Sequence, residues 1–271
     1  MAKRRILAVS DYHCGHRAGL TPPAYQQRPV GKSSVKRNKF GDMQRENWKA
    51  YKKLLKKYEP FDMMFHLGDA IDGTGGRSGG TELITSSLEE QVDMATDVCN
   101  TVRLHANKGF KIFGVYGTPY HCASGDGDDW DSVLAKNAGW ESIGSHDFVD
   151  VNGCVFDLKH KVGGSTIPHG RHTAMAKEKL WNQLWAINGG QPDATVLLRG
   201  HVHYHSFCGT PGSIAMTLPA LQGAGSKYGG RQCSGTVDWG VTVFDVDSKG
   251  QFDWTCDTVK FEQQGARAVK A

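Results

Sequence analysis

Five short segments bring together residue types that bind metal ions and move protons: Asp11-Tyr12-His13, Gly68-Asp69-Ala70-Ile71-Asp72-Gly73, Gly117-Thr118-Pro119-Tyr120-His121, His160, and Gly200-His201-Val202-His203. Imidazole nitrogens and carboxylate oxygens are suitable ligands for manganese, iron or zinc, whereas all-oxygen sites suit magnesium or calcium. In Asp-x-His and His-x-His, side chains i and i+2 share a face of an extended segment, so each pair can reach one ion. A carboxylate has two oxygens and can bridge two cations, and a ligand set of this size points to two metals rather than one. Singly, each segment is weak: a Gly-Asp is a turn, and an Asp-x-His is usually structural. Five of them, each after an apolar strand-like run, carry the reading together.

Those runs define the elements that must position the chemistry. Ile6–Ser10, Met63–Leu67, Lys111–Tyr116, Cys154–Lys159 and Thr195–Leu198 read as buried strands, each leading into one of the five segments. Helices are expected over Met43–Tyr58, Leu83–His105 and Met175–Ile187. From about Ile214 the chain alternates and turns like antiparallel β structure, including Val241–Val246. Strand–helix alternation followed by strands predicts an α/β architecture. Loops at the carboxyl ends of strands in an open α/β sheet converge on one crevice, where the five segments can meet. The stretch 14–42 shows neither helical nor strand period and reads as a long basic loop inserted in a single domain spanning 1–271.

Composition excludes little. The 271 residues are 39% hydrophobic and 22% charged, as in an ordinary globular protein, and a net charge of +4 falls short of a dedicated nucleic-acid binder. The seven cysteines form no C-x-x-C pair, which argues against a zinc ribbon and for a reduced, cytoplasmic protein. The apolar stretch after the basic N-terminus is too short for a signal peptide, and no run approaches a membrane span. The sequence does not set an oligomeric state.

In this order the motifs resemble the calcineurin-like metallophosphoesterase family, over most of the chain. The resemblance implies a four-layer α-β-β-α sandwich of two mixed sheets flanked by helices, and metal-dependent hydrolysis of phosphoesters. It implies that Asp11, His13 and His203 hold one metal, that Asp69 bridges to a second, and that His160 and His201 complete most of the second site. The third block departs from the family pattern, in which Asn is directly followed by His: Gly117–His121 has no Asn and two extra residues before the histidine. His121 is carried over as the general acid, and Thr118 as a ligand of the second metal or a neighbour of its ligands. A hydroxyl is a poorer ligand than an amide oxygen, so the second ion should bind less tightly. The expected cofactors are two divalent ions, manganese first, with iron, zinc or nickel as alternatives. Cations roughly 3.5–4 Å apart lower the pKa of a bridging water and supply hydroxide at neutral pH. A histidine near neutrality can protonate the departing alkoxide. Asp72 either orients a ligand histidine or simply forms the turn before Gly73.

The substrate is less clearly written. Protein Ser/Thr phosphatases of the family carry Arg where this chain has Gly73, which argues against that branch. Arg171, in Pro168-His169-Gly170-Arg171-His172, is the first candidate to grip phosphate oxygens; His16 and His169 are candidates for substrate contact. Arg28, Lys32, Lys36, Arg37 and Lys39 could track a nucleic-acid backbone. The block Cys14–Pro23 resembles phage members of the family. A phosphodiesterase or nuclease acting on nucleic acid or nucleotide diesters is therefore expected, with a phosphomonoesterase for a small phosphorylated metabolite or a DNA end as the alternative. A third reading is a non-catalytic, metal-stabilised binding module. The acidic stretch between Cys122 and Trp130 is expected to cap the next helix through Asp129.

Overall fold

Alternating buried positions draw the chain into two β-sheets stacked face to face. The structure, a computed structural model, describes residues 2–27, 35–122, 129–225 and 237–261, with the side chains of 35–39 and 77 outside the description. The first sheet contains β1 (Arg4–Val9), β2 (Phe61–His66), β3 (Ala106–Val115), β4 (Ser142–Gly144), β10 (Gly240–Val246) and β11 (Phe252–Thr258), in the order β11-β10-β1-β2-β3-β4. Strands β1 to β4 run parallel, and β10 and β11 add antiparallel at one edge. The second sheet, β5 (Asp147–Val151), β6 (Cys154–Leu158), β7 (Val196–Arg199), β8 (Ser206–Thr210) and β9 (Ser213–Thr217), has the order β5-β6-β7-β9-β8. Its central strands β6, β7 and β9 are parallel and its edges antiparallel.

Ile6, Ala8, Phe65, Leu67 and Val115 of the first sheet pack against Phe156, Leu158, Val196, Leu198 and Met216 of the second, forming the inner core. The outer face of the first sheet, with Leu7, Val9, Met64 and Ile112, is covered by α1 (Val35–Tyr58), α2 (Leu88–Arg103) and α4 (Trp130–Asn137), the short α3 (Pro119–Cys122) lying in the chain between the last two. The outer face of the second, with Leu197 and Ala215, meets Met175 of α5 (Gly170–Ile187). The layering is α-β-β-α, as the family resemblance implies. Helix α2 buries Val92, Ala95, Val98, Cys99 and Val102 at helical spacing, and Ser87 caps its first turn by accepting from the Glu90 amide. Asp129 caps α4 by accepting from the Asp131 amide, the role expected for it; the rest of that acidic stretch, 123–128, lies outside the described residues. Among the described residues no helix is long and apolar enough to cross a membrane.

Three expectations are corrected. Helix α1 begins at Val35, inside the expected 14–42 loop; lysine and arginine favour helix, so the fold extends the helix back beyond the aromatic stripe used to locate its start. Residues 14–27 form an ordered segment: Cys14, Ala18, Leu20 and Thr21 are fully buried, and the Gln44 side chain links the Gln27 amide to the Arg17 carbonyl. Of the basic residues assigned to the loop, Arg28 and Lys32 lie outside the described residues, as do the side chains of Lys36, Arg37 and Lys39. Helix α2 is shorter than Leu83–His105 because Ser87 provides its start. Finally, β9 within the C-terminal part is not purely antiparallel: it joins β7 in parallel and β8 antiparallel.

Candidate metal centre

The carboxyl ends of β1, β2, β3, β6 and β7 deliver the five segments to one place. Three groups of side chains there each offer ligand atoms within 4.8 Å of one another: Asp11, His13 and His203; Asp69, His160 and His201; and His13, Asp69 and His121. The expectation that Asp-x-His and His-x-His lie extended is overturned. Asp11, His13, Asp69, His201 and His203 all have positive φ, between 45° and 72°, and of the described non-glycine residues only Asn152 shares that conformation. A left-handed backbone costs an L-residue on the order of 1–3 kcal/mol and persists where its surroundings over-determine it, most often at functional sites. Here the kinks, rather than strand pleating, turn the side chains inward. Glycines let the loops close: a Cβ on Gly117 would lie 2.3 Å from the Asp69 amide nitrogen, and one on Gly200 would lie 2.1 Å from Ser10 Oγ.

Asp11 is fully buried. Its Oδ2 accepts from Ser10 Oγ and, at 3.0 Å, from the His201 amide, while Oδ1 receives no hydrogen bond. That bare oxygen lies 3.2 Å from His203 Nε2 and 3.8 Å from His13 Nε2. The two imidazole nitrogens are themselves 3.3 Å apart. A buried anionic oxygen without a donor, facing two nitrogens that both converge on it, is the arrangement a cation would complete. Asp69 stands between the two groups. Its Oδ1 accepts from the Thr118 amide; its Oδ2 lies 3.1 Å from His160 Nε2 and 3.9 Å from His13 Nε2. Thr118 Oγ1 is 3.2 Å from both His160 Nε2 and His201 Nδ1, so the hydroxyl faces the second group from where the family pattern places an amide.

Contacts behind these side chains fix how the rings point. His160 donates through Nδ1 to the Leu67 carbonyl, aiming Nε2 at Asp69. His13 donates through Nδ1 to Asp72 Oδ1 at 3.0 Å, and His121 donates through Nδ1 to the Asp72 carbonyl at 2.8 Å. Asp72 thus orients two histidines at once, one with its side chain and one with its backbone. Because orienting carboxylates of this kind raise ligand basicity and fix the ring, Asp72→Ala should weaken Mn²⁺ binding at the Asp11/His13/His203 group 10–100-fold, measured by calorimetric titration. Unchanged affinity would show that His13 needs no such partner.

Three residues that sequence reasoning passed over support this frame. Gln91 of α2 accepts from the Asp72 and Gly73 amides and donates to the Gly73 and Thr85 carbonyls. Asp131 of α4 accepts from the Gly117 amide at 2.8 Å, and burial pushes its carboxyl up to about 7. Ser10 holds Asp11. A lone Gln, Asp or Ser on its own element carries no signal of these long-range bonds.

Charge balance follows from the crowding. Burial alone would raise Asp11 and Asp69, but the facing histidines, His203 for Asp11 and His160 for Asp69, hold both carboxyls well below the usual range. Burial would likewise lower His13 and His160, yet Asp11 and Asp72 raise the first to about 10 and Asp69 raises the second to about 9. Burial keeps His201 and His121 below the ordinary value, helped by the neighbouring His160 and His13 respectively. Without metal, protons on His13 and His160 balance the carboxylates.

The remaining candidates are spread more widely. His66 is fully buried and accepts from the Gly68 amide, a core residue under the Asp69 loop. His205 points to the Thr217 carbonyl. His16 is 4% exposed and accepts from the Ala18 amide, so its place is inside its own loop. His169 is exposed at the start of α5. The Arg171 guanidinium lies 4.2 Å over the ring of Tyr204, the residue after His203.

No family model matches the chain, and no curated protein matches it by sequence. Among solved structures it is similar to an archaeal phosphodiesterase (TM-score 0.45, 12% identity, covering 94% of this chain and 99% of that one). It is also similar to vacuolar protein sorting 29 from Cryptosporidium parvum (TM-score 0.44, 11% identity, 96% and 100% covered) and to the phosphoesterase YfcE from E. coli (TM-score 0.42, 13% identity, 94% and 98% covered). Likenesses at this level leave the functional reading to rest on the site itself.

Proposed function

We propose that the chain is a dinuclear-metal phosphoester hydrolase whose preferred substrates are phosphodiesters, of nucleic acid or of a nucleotide. The observation that supports this most is that Asp69 belongs to two His/Asp groups, one with His160 and His201 and one with His13 and His121, while the buried Asp11 Oδ1 is left bare between His13 and His203. Asp11, His13 and His203 would hold one ion, and His160 and His201 the other, with Asp69 common to both and Thr118 Oγ1 in reach of the second. The donor set of imidazoles and carboxylates, without thiolate, suits manganese, with iron, zinc or nickel as alternatives. Two cations bound there supply Lewis-acid polarisation of a phosphoryl oxygen and an acidified water at neutral pH.

The chain's own groups do the rest. Asp72 and Leu67 hold the rings of His13 and His160 so that their lone pairs face inward. His121 is anchored through Nδ1 to the Asp72 carbonyl, and its Nε2 would carry a proton to the departing oxygen. Removing that acid matters most when the leaving group is a poor one. His121→Ala should therefore slow an unactivated diester by about 10²–10³-fold and a p-nitrophenyl ester by roughly tenfold or less. Equal losses on both would make His121 a ligand or positioning group instead.

The basic residues Arg28, Lys32, Lys36, Arg37 and Lys39, before and at the start of α1, favour a polyanionic diester over a small monoester. Turnover of bis-p-nitrophenyl phosphate against p-nitrophenyl phosphate in Mn²⁺ tests the preference. The diester should be the better substrate, with DNA or RNA cleaved. Preference for the monoester without nucleic-acid cleavage would overturn the diester reading, and no hydrolysis with any divalent ion would overturn the enzyme reading.

A further inference from the structure

Helix α5 is turned the wrong way for a helix that only covers a sheet. It buries Met175 and Asn182 and sets Ala174, Glu178, Lys179 and Ala186 partly inward. Along its middle and last turns the inward polar groups are held locally: Glu178 pairs with the buried Arg199, Asn182 bonds the Pro192 carbonyl and Ala194 amide, and Lys179 reaches the Ala194 carbonyl and Asp193. The large apolar residues face solvent instead: Leu180 is 56% exposed, Trp181 58%, Leu184 42%, Trp185 54% and Ile187 82%. At 3.6 residues per turn these five fall within one half of the helix surface. With about 150–250 Å² for each whole side chain, they expose on the order of 600 Å² in one stripe. That matches the largest patch of a typical monomer. With a rim of Lys177, Gln183 and Asn188 it approaches the roughly 800 Å² per partner of a standard stable interface.

We propose that this stripe is the two-fold interface of a homodimer, α5 packing antiparallel on α5 of a second copy. The sequence Leu180-Trp181-Asn182-Gln183-Leu184-Trp185 repeats its Leu-Trp pair after four residues. An isologous antiparallel pair centred between Asn182 and Gln183 sets Leu180 of one protomer opposite Trp185 of its partner, and Trp181 opposite Leu184. Each large ring then meets a smaller side chain, which is the self-complementarity a two-fold contact requires. The same register places Lys177 beside Asn188 at the carboxyl end of the partner's helix, where a cation is favourable. A lipid surface fits less well. Interfacial helices carry several free basic side chains on the polar face, whereas Lys179 here is engaged by Ala194 and Asp193.

Sedimentation of the full chain in Mn²⁺, from about 1 to 100 µM, tests the proposal. The expected mass is twice the 29.6 kDa of one chain. Trp181→Glu should raise the dissociation constant roughly 100-fold or more, because buried tryptophans dominate such contacts. Lys177→Glu should raise it several-fold while keeping the apolar stripe. Both positions are exposed and outside the metal centre, so circular dichroism and ester hydrolysis should be unchanged and report that the fold is intact. A monomer at 100 µM, a dimer indifferent to Trp181→Glu, or a monomer that binds anionic phospholipid vesicles through the same residues would each overturn it.

Discussion

Asp69→Asn should lower kcat on bis-p-nitrophenyl phosphate by about 10³-fold or more while leaving the fold intact. Asp69 Oδ2 lies between His160 Nε2 at 3.1 Å and His13 Nε2 at 3.9 Å, so it serves both groups of ligands. Its Oδ1 is held by the Thr118 amide, which orients the carboxylate. An amide retains the size and one oxygen but loses the charge that two bound cations would share, and transition-state charge stabilisation from such sites is worth several kcal/mol. Asn also presents an NH₂ that must face either the Thr118 amide or the histidines, so one hydrogen bond is lost whichever way it turns. Kinetics with Mn²⁺ and circular dichroism on the variant decide this. Activity within tenfold of the parent would mean that Asp69 does not join two ions.

Adding Mn²⁺ to the metal-free chain should raise its melting temperature, by more at pH 8 than at pH 6. Occupancy of a site by ligand at 100 times its dissociation constant adds about 2.7 kcal/mol, which for a chain of this size corresponds to roughly 5 °C. The pH sign follows from the imidazoles. His13 is raised to about 10 and His160 to about 9 by the carboxylates they face, so both are protonated in the metal-free chain at either pH. An ion must displace those protons to reach the lone pairs, and apparent affinity therefore rises about tenfold per pH unit for each proton released. In the absence of metal the same two histidines act in the opposite direction. Their raised values stabilise the fold fully below the ordinary value of about 6.5, and that contribution is lost as pH rises through about 9 to 10. Scanning calorimetry at several Mn²⁺ concentrations measures both effects. A shift independent of pH would place the ion away from His13 and His160.

Much of this arrangement can be read before any coordinates. The apolar runs ending at Val9, His66, Val115, Leu158 and Arg199 are strands because they are buried on both faces, and parallel connections bring their carboxyl ends together. Residue type and order therefore identify Asp11, His13, Asp69, His160, His201 and His203 as neighbours. What stays hidden is the means. Spacing suggests extended Asp-x-His and His-x-His pairs, whereas the chain turns these side chains inward through left-handed backbone at all four of their residues, and does the same at Asp69. Such conformations are fixed by the loops that press on them, as at Gly117 and Gly200, and not by local preference. Gln91, Asp131 and Ser10 are silent in sequence for the same reason: their role depends on partners that only tertiary packing supplies. The start of α1 at Val35 is missed because its first turns carry basic residues rather than an apolar stripe. The edge strands β4, β5 and β8 are short, and nothing in their patterns marks them out from the loops around them.

The most direct test of a two-ion centre is a crystal soaked with Mn²⁺ and read by anomalous scattering. Two peaks per chain are predicted, one among Asp11, His13 and His203 and one among His160, His201 and Thr118, both within reach of Asp69. A single peak, or two peaks of which neither touches Asp69, would contradict the account.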